Sequence, residues 1–512
     1  MSVLAVLAVV AGVVLRLWPR TALWLDEAQS LAIARAPLAE LPATLRTDGA
    51  PPLYYALLHV WMQLFGTGDW AVRSLSVIAS LATIPVIGVA ARRYGGHAAV
   101  WPAVVLLATN PFAIRYATEA RMYALIAFEA AIGLVLVPRA LERPSPSRLG
   151  AVALLVAALL YTHYWSVYLI GGVGIVLLYV ALTRRRSHDA DSRALAPAVA
   201  KVLLAMATGV VLWLPWLPSF RFQAAHTGTP WAARPSLWNL LEVVPSLSAG
   251  RGRGGGMIAF VLTVLVLLAL FGKALDGRRT ELDWRTRPAA RGLVGVLVLV
   301  PTLALLGGFV SGSAFVTRYL SAVFPVLVVL TAMGLVTLGS PRLRVGLLAV
   351  ASVACLAVAA SEVRNDRTPA RHIAAQLLDR AAPGDVVVFC PDQVGPALAR
   401  ELEGTRLEDL DQGTYPFWLP PGRVDWVDYE ARHLDSEPFT FASEALSRAG
   451  AGDVWLVWSP GYPPTQQSCT ALRSALARLR PGEEVLAGDR PGVHLDHAGL
   501  LRYPAQPASV IR

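Results

Sequence analysis

The chain has 512 residues, 55% of them hydrophobic and 16% charged, with a net charge of +10. A soluble protein of this length carries more charge, and the mean hydropathy is +0.52. The basic residues cluster in short loops between apolar runs, which is the pattern of membrane topology rather than of nucleic-acid binding. Lys201 and Lys273 are the only lysines, which we read as base composition and not as chemistry.

Apolar runs of about 16–20 residues suit membrane-crossing helices, and about eleven are expected on that criterion. They lie near residues 3–18, 71–91, 98–114, 121–138, 149–163, 165–183, 200–218, 257–275, 292–310, 319–338 and 344–361. The first has no basic leader and no small-residue cleavage site after it, so a retained helix is expected in place of a cleaved signal. Arg92-Arg93, then Arg139, Arg143 and Arg148, then Arg184-Arg185-Arg186, then Lys273 with Arg278, Arg279, Arg285 and Arg287, and finally Arg342 and Arg344 fall in alternate loops. Those loops share one side, cytoplasmic by the positive-inside rule. The N-terminus is then cytoplasmic. The loops 19–70, 115–120, 219–256 and 311–318 and the Thr162-His163-Tyr164 corner face outward. Arg16 and Arg20 depart locally from the rule.

An odd number of spans places 362–512 outside, where the composition changes abruptly. Ala370–Arg380, Gly395–Leu402 and 471–479 read as helices, 385–390 and Val454–Trp458 as buried strands. Strands alternating with helices suggest a small α/β domain with a parallel sheet. The expected organisation is therefore a transmembrane domain, 1–361, and an extracytoplasmic α/β domain, 362–512. The glycine-rich patch 250–256 reads as a mobile outward loop. Cys355 sits in an apolar run, so only Cys390 and Cys469 are able to pair, and nothing in the sequence requires it. No zinc-type spacing is present.

Polar groups at the outer ends of the spans carry the candidate chemistry, because charges beside membrane spans are costly and tend to mark function. Asp26-Glu27 follows the first run. Asp26 with Gln29 has capping-box spacing, so Asp26 reads either as the cap of a helix beginning at Glu27 or as a general base at the membrane surface. Adjacent helical residues point about 100° apart, which lets one carboxylate face a cavity while the other pairs locally. Arg115-Tyr116-Ala117-Thr118-Glu119-Ala120-Arg121-Met122-Tyr123 lies between two apolar runs. Arg115 and Glu119 are spaced for an intrahelical pair, but Arg121 is left over and calls for a carboxylate or a phosphate. Asp48-Gly49-Ala50-Pro51-Pro52-Leu53-Tyr54-Tyr55 leads into His59 and Trp61, an interfacial segment whose aromatics suit headgroup depth. His163 at an outer corner and Arg318-Tyr319 at the start of a late run have two readings each. His163 is either a belt residue or a ligand of a hydroxyl or phosphate oxygen; Arg318 either snorkels or clamps a phosphate.

Taken in order, Trp24-Leu25-Asp26-Glu27-Ala28, Pro51-Pro52-Leu53-Tyr54-Tyr55 with Leu58-His59, Asn110-Pro111-Phe112 leading into Arg115-Tyr116 and Glu119-Ala120-Arg121-Met122-Tyr123, Tyr161-Thr162-His163-Tyr164 and Arg318-Tyr319 resemble bacterial C-type (GT-C) glycosyltransferases. These are family 39-like enzymes related to protein O-mannosyltransferases and lipid A aminoarabinose transferases. The resemblance covers about 1–340 and implies a mainly α, polytopic membrane bundle of the GT-C type. It implies a polyprenyl-phosphate sugar donor, an active site on the extracytoplasmic side of the plasma membrane, and an acceptor that is an envelope glycan, a lipid or a protein. By position it makes Asp26 the activator of the acceptor and Glu27 its companion. It makes Arg121 and Arg318, with Tyr319, partners of the donor phosphate, and it places Glu119, Tyr123, Tyr54, His59, His163 and Tyr164 around the substrate pocket. Some members carry acidic or histidine-rich outer loops that bind metal; the pattern is missing here, so neither metal nor cofactor is expected.

The chemistry is consistent with this on its own terms. A glycosyl phosphate has a good leaving group, so it needs positive charge on the departing phosphate and a base for the incoming hydroxyl. The competing readings are a lipid or solute transporter and a sensor with an inert anchor. Transporters concentrate polar residues near the midplane in repeated halves. Here the polar groups gather at outer ends, Glu129 being the main exception, and an inert anchor has no need of so many spans.

Overall fold

The computed structural model of the protein describes residues 3–185, 190–229, 234–249, 255–276, 279–312, 315–459, 462, 465–488 and 494–505. Arg186, Arg278, Ser313 and residues 250–254 of the glycine-rich patch lie outside them. The helices of the first part are α1 (Val3–Arg16), α2 (Leu25–Ala34), α3 (Leu41–Leu45), α4 (Leu53–Phe65), α5 (Asp69–Gly95), α6 (His97–Thr109), α7 (Pro111–Ala117), α8 (Tyr123–Glu142) and α9 (Pro146–Thr162). They continue as α10 (Ser166–Arg185), α11 (Ala190–Trp213), α12 (Leu217–His226), α13 (Trp238–Ala249), α14 (Gly255–Phe271), α15 (Pro288–Ser311), α16 (Phe324–Thr337) and α17 (Pro341–Arg364). Among the described residues, 6 helices are long and apolar enough to cross a membrane, or 7 if α6 and α7, bent by 55°, form one span. Shorter apolar helices, α1, α9, α14 and α16, stand at the remaining expected spans. The protein is a multi-pass membrane protein.

Helices in lipid associate through close packing rather than through water exclusion, so small residues mark the contacts. α16 is apolar on every side and buried along nearly its whole length, which makes it the centre of the bundle. Gly334 lets it approach α14 so closely that an added Cβ would lie 1.7 Å from the Leu265 carbonyl oxygen. Gly12 does the same for α1 against Ala108.

The break between α6 and α7 has a clear cause. Pro111 has no N–H and disfavours helical backbone in the residue before it, so α6 stops and carbonyls near its end lose their intrahelical donors. Asn110 restarts the chain as the cap of α7, its Oδ1 accepting from the Ala113 N–H at 3.2 Å. Arg16 serves the orphaned carbonyls: its guanidinium donates to Leu107 O at 2.9 Å, Ala108 O at 2.5 Å and Gly12 O at 2.8 Å, and to Ser80 Oγ at 3.0 Å. Its departure from the charge rule is thereby explained, because this arginine is fully buried and is not a loop charge. Glu129 likewise faces the bundle, accepting from Thr162 Oγ1 of α9 at 2.8 Å.

Residues 365 onward form an α/β unit with α18 (Ala370–Arg380), α19 (Gly395–Leu402), α20 (Tyr429–Leu434), α21 (Pro438–Ala449) and α22 (Gln466–Leu479). A two-stranded ribbon, β1 (Gly272–Ala274) with β2 (Thr280–Leu282), precedes it in the chain. Its own sheet holds β3 (Val386–Cys390), β4 (Asp411–Thr414), β5 (Val454–Trp458), β6 (Glu483–Leu486) and β7 (Gly499–Tyr503), in the order β4-β3-β5-β7-β6. β4, β3 and β5 are parallel, as expected, whereas β7 pairs antiparallel with both β5 and β6, so the sheet is mixed. The fully buried β3 and β5 are the two strands expected from sequence; β4 and β6 are short and partly exposed, without a continuous apolar signature. Cys390 and Cys469 form a disulfide between β3 and α22.

The α/β unit sits on α2. Gln29 exchanges two hydrogen bonds with the backbone of Val424, each 2.9 Å, and Trp24, Leu25, Val424 and Tyr429 form one apolar cluster. Within the unit, burial pushes the Asp392 carboxyl up to about 7, even though the Tyr429 hydroxyl donates to it at 2.6 Å. An unfolded Asp titrates near about 3.9. The folded chain therefore binds the extra proton between those values, and stability falls as pH rises through that window. Asp392→Asn keeps an acceptor for Tyr429 and removes the titration. Its thermal midpoint should fall less than that of the wild type between pH 5 and 8 in scanning fluorimetry, and parallel curves would exclude Asp392 as the source.

Candidate active site

Two acids that are neighbours in sequence meet opposite environments. α2 starts at Leu25 with Trp24 as its N-cap residue and no side-chain cap, so the capping reading of Asp26 does not hold. Glu27 is sealed inside: Arg73 near the start of α5 grips it in bidentate fashion, Nε to Oε1 at 2.6 Å and Nη2 to Oε2 at 2.6 Å. The Ala120 N–H donates to Oε1 at 2.9 Å, and Arg367 approaches Oε2 at 3.6 Å. Burial alone would raise the Glu27 carboxyl, but the two guanidiniums outweigh it and hold it below the usual range. Arg73 also donates to the carbonyls of Thr21 (2.7 Å) and Ala22 (3.0 Å). Glu27 was expected beside Asp26 in the chemistry; the structure instead engages it fully in holding α2 against the bundle.

Asp26 points the other way, into a loose cluster. Its Oδ2 lies 3.7 Å from Arg318 Nη2 and 3.9 Å from Arg121 Nε, both beyond hydrogen-bond distance. Arg318 is held in a 3-10 turn, Thr317–Ala322, that leads into α16. Arg121 belongs to the irregular link between α7 and α8, and its Nη1 donates to Ser30 Oγ and Tyr55 OH at 3.2 Å each. Tyr55 in turn donates to Asp48 at 3.0 Å, which fixes the far side of the cluster. Asp26 Oδ2, Arg121 Nε and the Tyr123 hydroxyl are buried with no hydrogen-bond partner among the described residues. Buried polar atoms without partners are uncommon and call for an explanation such as a bound group.

Aromatic side chains wall this cluster. The Tyr319 ring lies 4.9 Å from that of His163, 5.2 Å from Trp165 and 6.3 Å from Tyr123. His163 Nδ1 accepts the Trp165 N–H at 3.1 Å, which leaves its proton on Nε2. Glu119 is also buried, 3.8 Å from Arg115, and burial raises its carboxyl despite that arginine. A gap of about 20 Å³ lies beneath, lined by Tyr116, Tyr123, Phe112 and Phe324 among others.

Three expected pocket residues lie apart from this cluster. Tyr54 bonds Ser76 Oγ at 3.1 Å, and Ser76 holds the Arg121 carbonyl at 3.0 Å, so Tyr54 supports the link from behind. His59 Nδ1 pairs with the Ala34 carbonyl at 2.8 Å and ties α4 to the end of α2. Tyr164 bonds Gln223 and accepts from Trp216 Nε1 at 2.8 Å. Arg73, Arg367 and Ser30 were not singled out from sequence. Arg73, an isolated charge a few residues into an apolar run, was the available signal. Among the described residues no group of three or more His, Cys, Asp or Glu is placed to hold a metal ion.

Residues 49–213 match the family model described as dolichyl-phosphate-mannose-protein mannosyltransferase. The chain as a whole is similar to ArnT from Cupriavidus metallidurans in the apo state, at 16% identity over 98% of each chain with a TM-score of 0.58. Against ArnT bound to undecaprenyl phosphate the values are 16%, 98% of each chain and 0.53. An Archaeoglobus fulgidus oligosaccharyltransferase in complex with Zn and sulfate matches over 89% of this chain and 68% of its own, at 10% identity and a TM-score of 0.51. The chain has the GT-C fold. No curated protein sequence matches it. The GT-C likeness spans both the bundle and the α/β unit, and so includes the tail, where the motifs of the sequence end.

The two acids separate cleanly by experiment. Glu27→Ala leaves Arg73 buried without its counter-ion and should cost about 3–5 kcal/mol of stability, read as a large drop in thermal midpoint or in yield of folded protein. Asp26→Asn should leave the midpoint near that of the wild type. A stable Glu27→Ala protein that merely loses turnover would return Glu27 to the chemistry.

Proposed function

We propose that the protein transfers a sugar from a polyprenyl-phosphate carrier to a hydroxyl of an envelope glycan, lipid or protein on the extracytoplasmic face of the membrane. The observation that carries this reading is the single carboxylate of Asp26 set 3.7 and 3.9 Å from two guanidiniums, with acid, arginine and phenol atoms left unpartnered. Two guanidiniums converge on this loosely held carboxylate, and together they offer donors for a phosphate. The Asp26 contacts are too long to be hydrogen bonds, so a phosphate that engages Arg121 and Arg318 displaces only a loose contact at the carboxylate and frees it.

The step then balances. The acceptor oxygen attacks the anomeric carbon and gives its proton to Asp26 as the new C–O bond forms. The bond from that carbon to the phosphate oxygen breaks, and its electron pair leaves on the phosphate, where the guanidiniums stabilise the growing charge. Neutral His163, with a proton on Nε2, and Tyr123 are donors able to orient the sugar hydroxyls. The disulfide of the α/β unit supports the outward placement of that unit, since such bonds persist in oxidising compartments. The family-model match and the GT-C fold support the donor class.

A single displacement inverts the anomeric centre, so NMR of the product made from a donor of known configuration should show inversion, and retention refutes this mechanism. Asp26→Asn should lower kcat about 100-fold or more with donor binding intact. A near-normal rate would place the base elsewhere. Arg318→Ala should weaken binding of undecaprenyl phosphate about 10–100-fold, the scale of a charge-assisted hydrogen bond. Unchanged affinity in a calorimetric titration would remove Arg318 from the phosphate site.

A further inference from the structure

The helix that presents Asp26 is not held by the membrane bundle alone. Its first N–H, that of Leu25, donates to Asp496 Oδ2 of the α/β unit at 2.8 Å. The N-cap residue Trp24 supplies no side-chain acceptor, so Asp496 fills from another part of the chain the role a local cap would play. Asp496 is itself anchored: the N–H groups of Leu495 and Asp496 reach the Arg367 carbonyl at 2.8 and 3.2 Å. The side chain of the same Arg367 turns back into the membrane part. It donates to Thr118 O at 2.9 Å and Thr118 Oγ1 at 2.8 Å, and it approaches Glu27 Oε2 at 3.6 Å.

These contacts close a ring. From Leu25 it runs to Asp496, through the Arg367 backbone to the Arg367 guanidinium, and back to Glu27 on the same turn of α2. Asp26 is the residue between the two attachment points. The ring also takes in Thr118, three residues before Arg121, so it spans both segments that meet at the cluster. We infer that Asp496, with Arg367, is a positioning residue: the α/β unit braces the first turn of α2 and thereby sets the Asp26 carboxylate against Arg121 and Arg318. This rests on the reading of Asp26 as the base. It gives the tail a part in turnover distinct from any role in choosing an acceptor.

The test uses the full-length protein and four variants, Asp496→Ala, Asp496→Asn, Asp496→Glu and Asp26→Asn. Transfer is assayed with radiolabelled undecaprenyl-phosphate monosaccharides and donor binding with undecaprenyl phosphate. Asp496→Ala should lower kcat at least tenfold, leave undecaprenyl phosphate affinity within twofold, and raise amide hydrogen exchange at the start of α2 without raising it in α5 or α16. Asp496→Asn retains an oxygen at the same reach and should recover most of kcat. Asp496→Glu keeps the carboxyl group but is one methylene too long, and should remain impaired. If the Ala variant does not fold, the Asn and Glu pair decides between reach and the need for a carboxyl group. An Ala variant with kcat within twofold of wild type, or an Asn variant as impaired as Ala, overturns the brace. A fully active Asp26→Asn protein overturns the underlying reading instead.

Discussion

The site depends on one buried ion pair, Glu27 with Arg73. Taking two charges out of water costs several kcal/mol per ion, and their attraction repays it only with good geometry and satisfied remaining valences. Here the geometry is bidentate at 2.6 Å, the spare carboxylate valence goes to Ala120, and the spare guanidinium protons go to backbone carbonyls. Such a pair adds little net stability over an apolar core, but it tolerates few alternatives. Once Glu27 is locked, the rotation of α2 about its axis is set, and the 100° step to Asp26 aims that side chain at the link carrying Arg121.

The contrast between the two carboxylates follows from how completely each is paired. Glu27 has a partner for each oxygen at hydrogen-bond distance and is inaccessible. Asp26 has two cations within ion-pair range but none close enough for a hydrogen bond. Loose pairing in a partly enclosed place keeps the attraction modest and the group exchangeable, while the two guanidiniums remain at hand for an anion. The same sequence dipeptide thus yields one fixed structural charge and one available one. That outcome was not decidable from Asp26-Glu27 itself, since both carboxylates fit either role.

Much of the architecture was legible because lipid imposes it. Backbone groups in hydrocarbon must bond within their own helix, so apolar runs translate directly into helices, and helix stands at every expected span, broken at Asn110 in 98–114 and opened by a 3-10 turn in 319–338. The convergence of Asp26, Arg121 and Arg318 was legible as three costly charges at span ends. The separation of Glu27 was not, because Arg73 and Arg367 come from elements 46 and more residues away. His59 and Tyr164 read as pocket residues through their neighbours in sequence, yet each is satisfied locally, by Ala34 and by Trp216. In the tail, β3 and β5 announce themselves through unbroken apolar runs, while β4 and β6, on the flanks, are too short and too polar to do so.

The location of the site follows from helices that stop short. α16 has 14 residues, and at 1.5 Å per residue this is about 21 Å, well under a hydrocarbon thickness of about 30 Å. Irregular backbone at membrane depth is tolerated only where protein covers it. The chain before α16 is the 3-10 turn bearing Arg318, and the chain between α7 and α8 is the link bearing Arg121; the same turn's Leu320 and Ser321 are buried, as are Thr118 and Ala120. Both breaks are roofed by α2, which in turn lies under the α/β unit. A shortened core helix creates the room for polar groups at depth, and the loop helix with the domain above it keeps those groups away from lipid. Neither part forms a closed site alone, which is why the acid arrives from the first loop and the arginines from the second and a much later one.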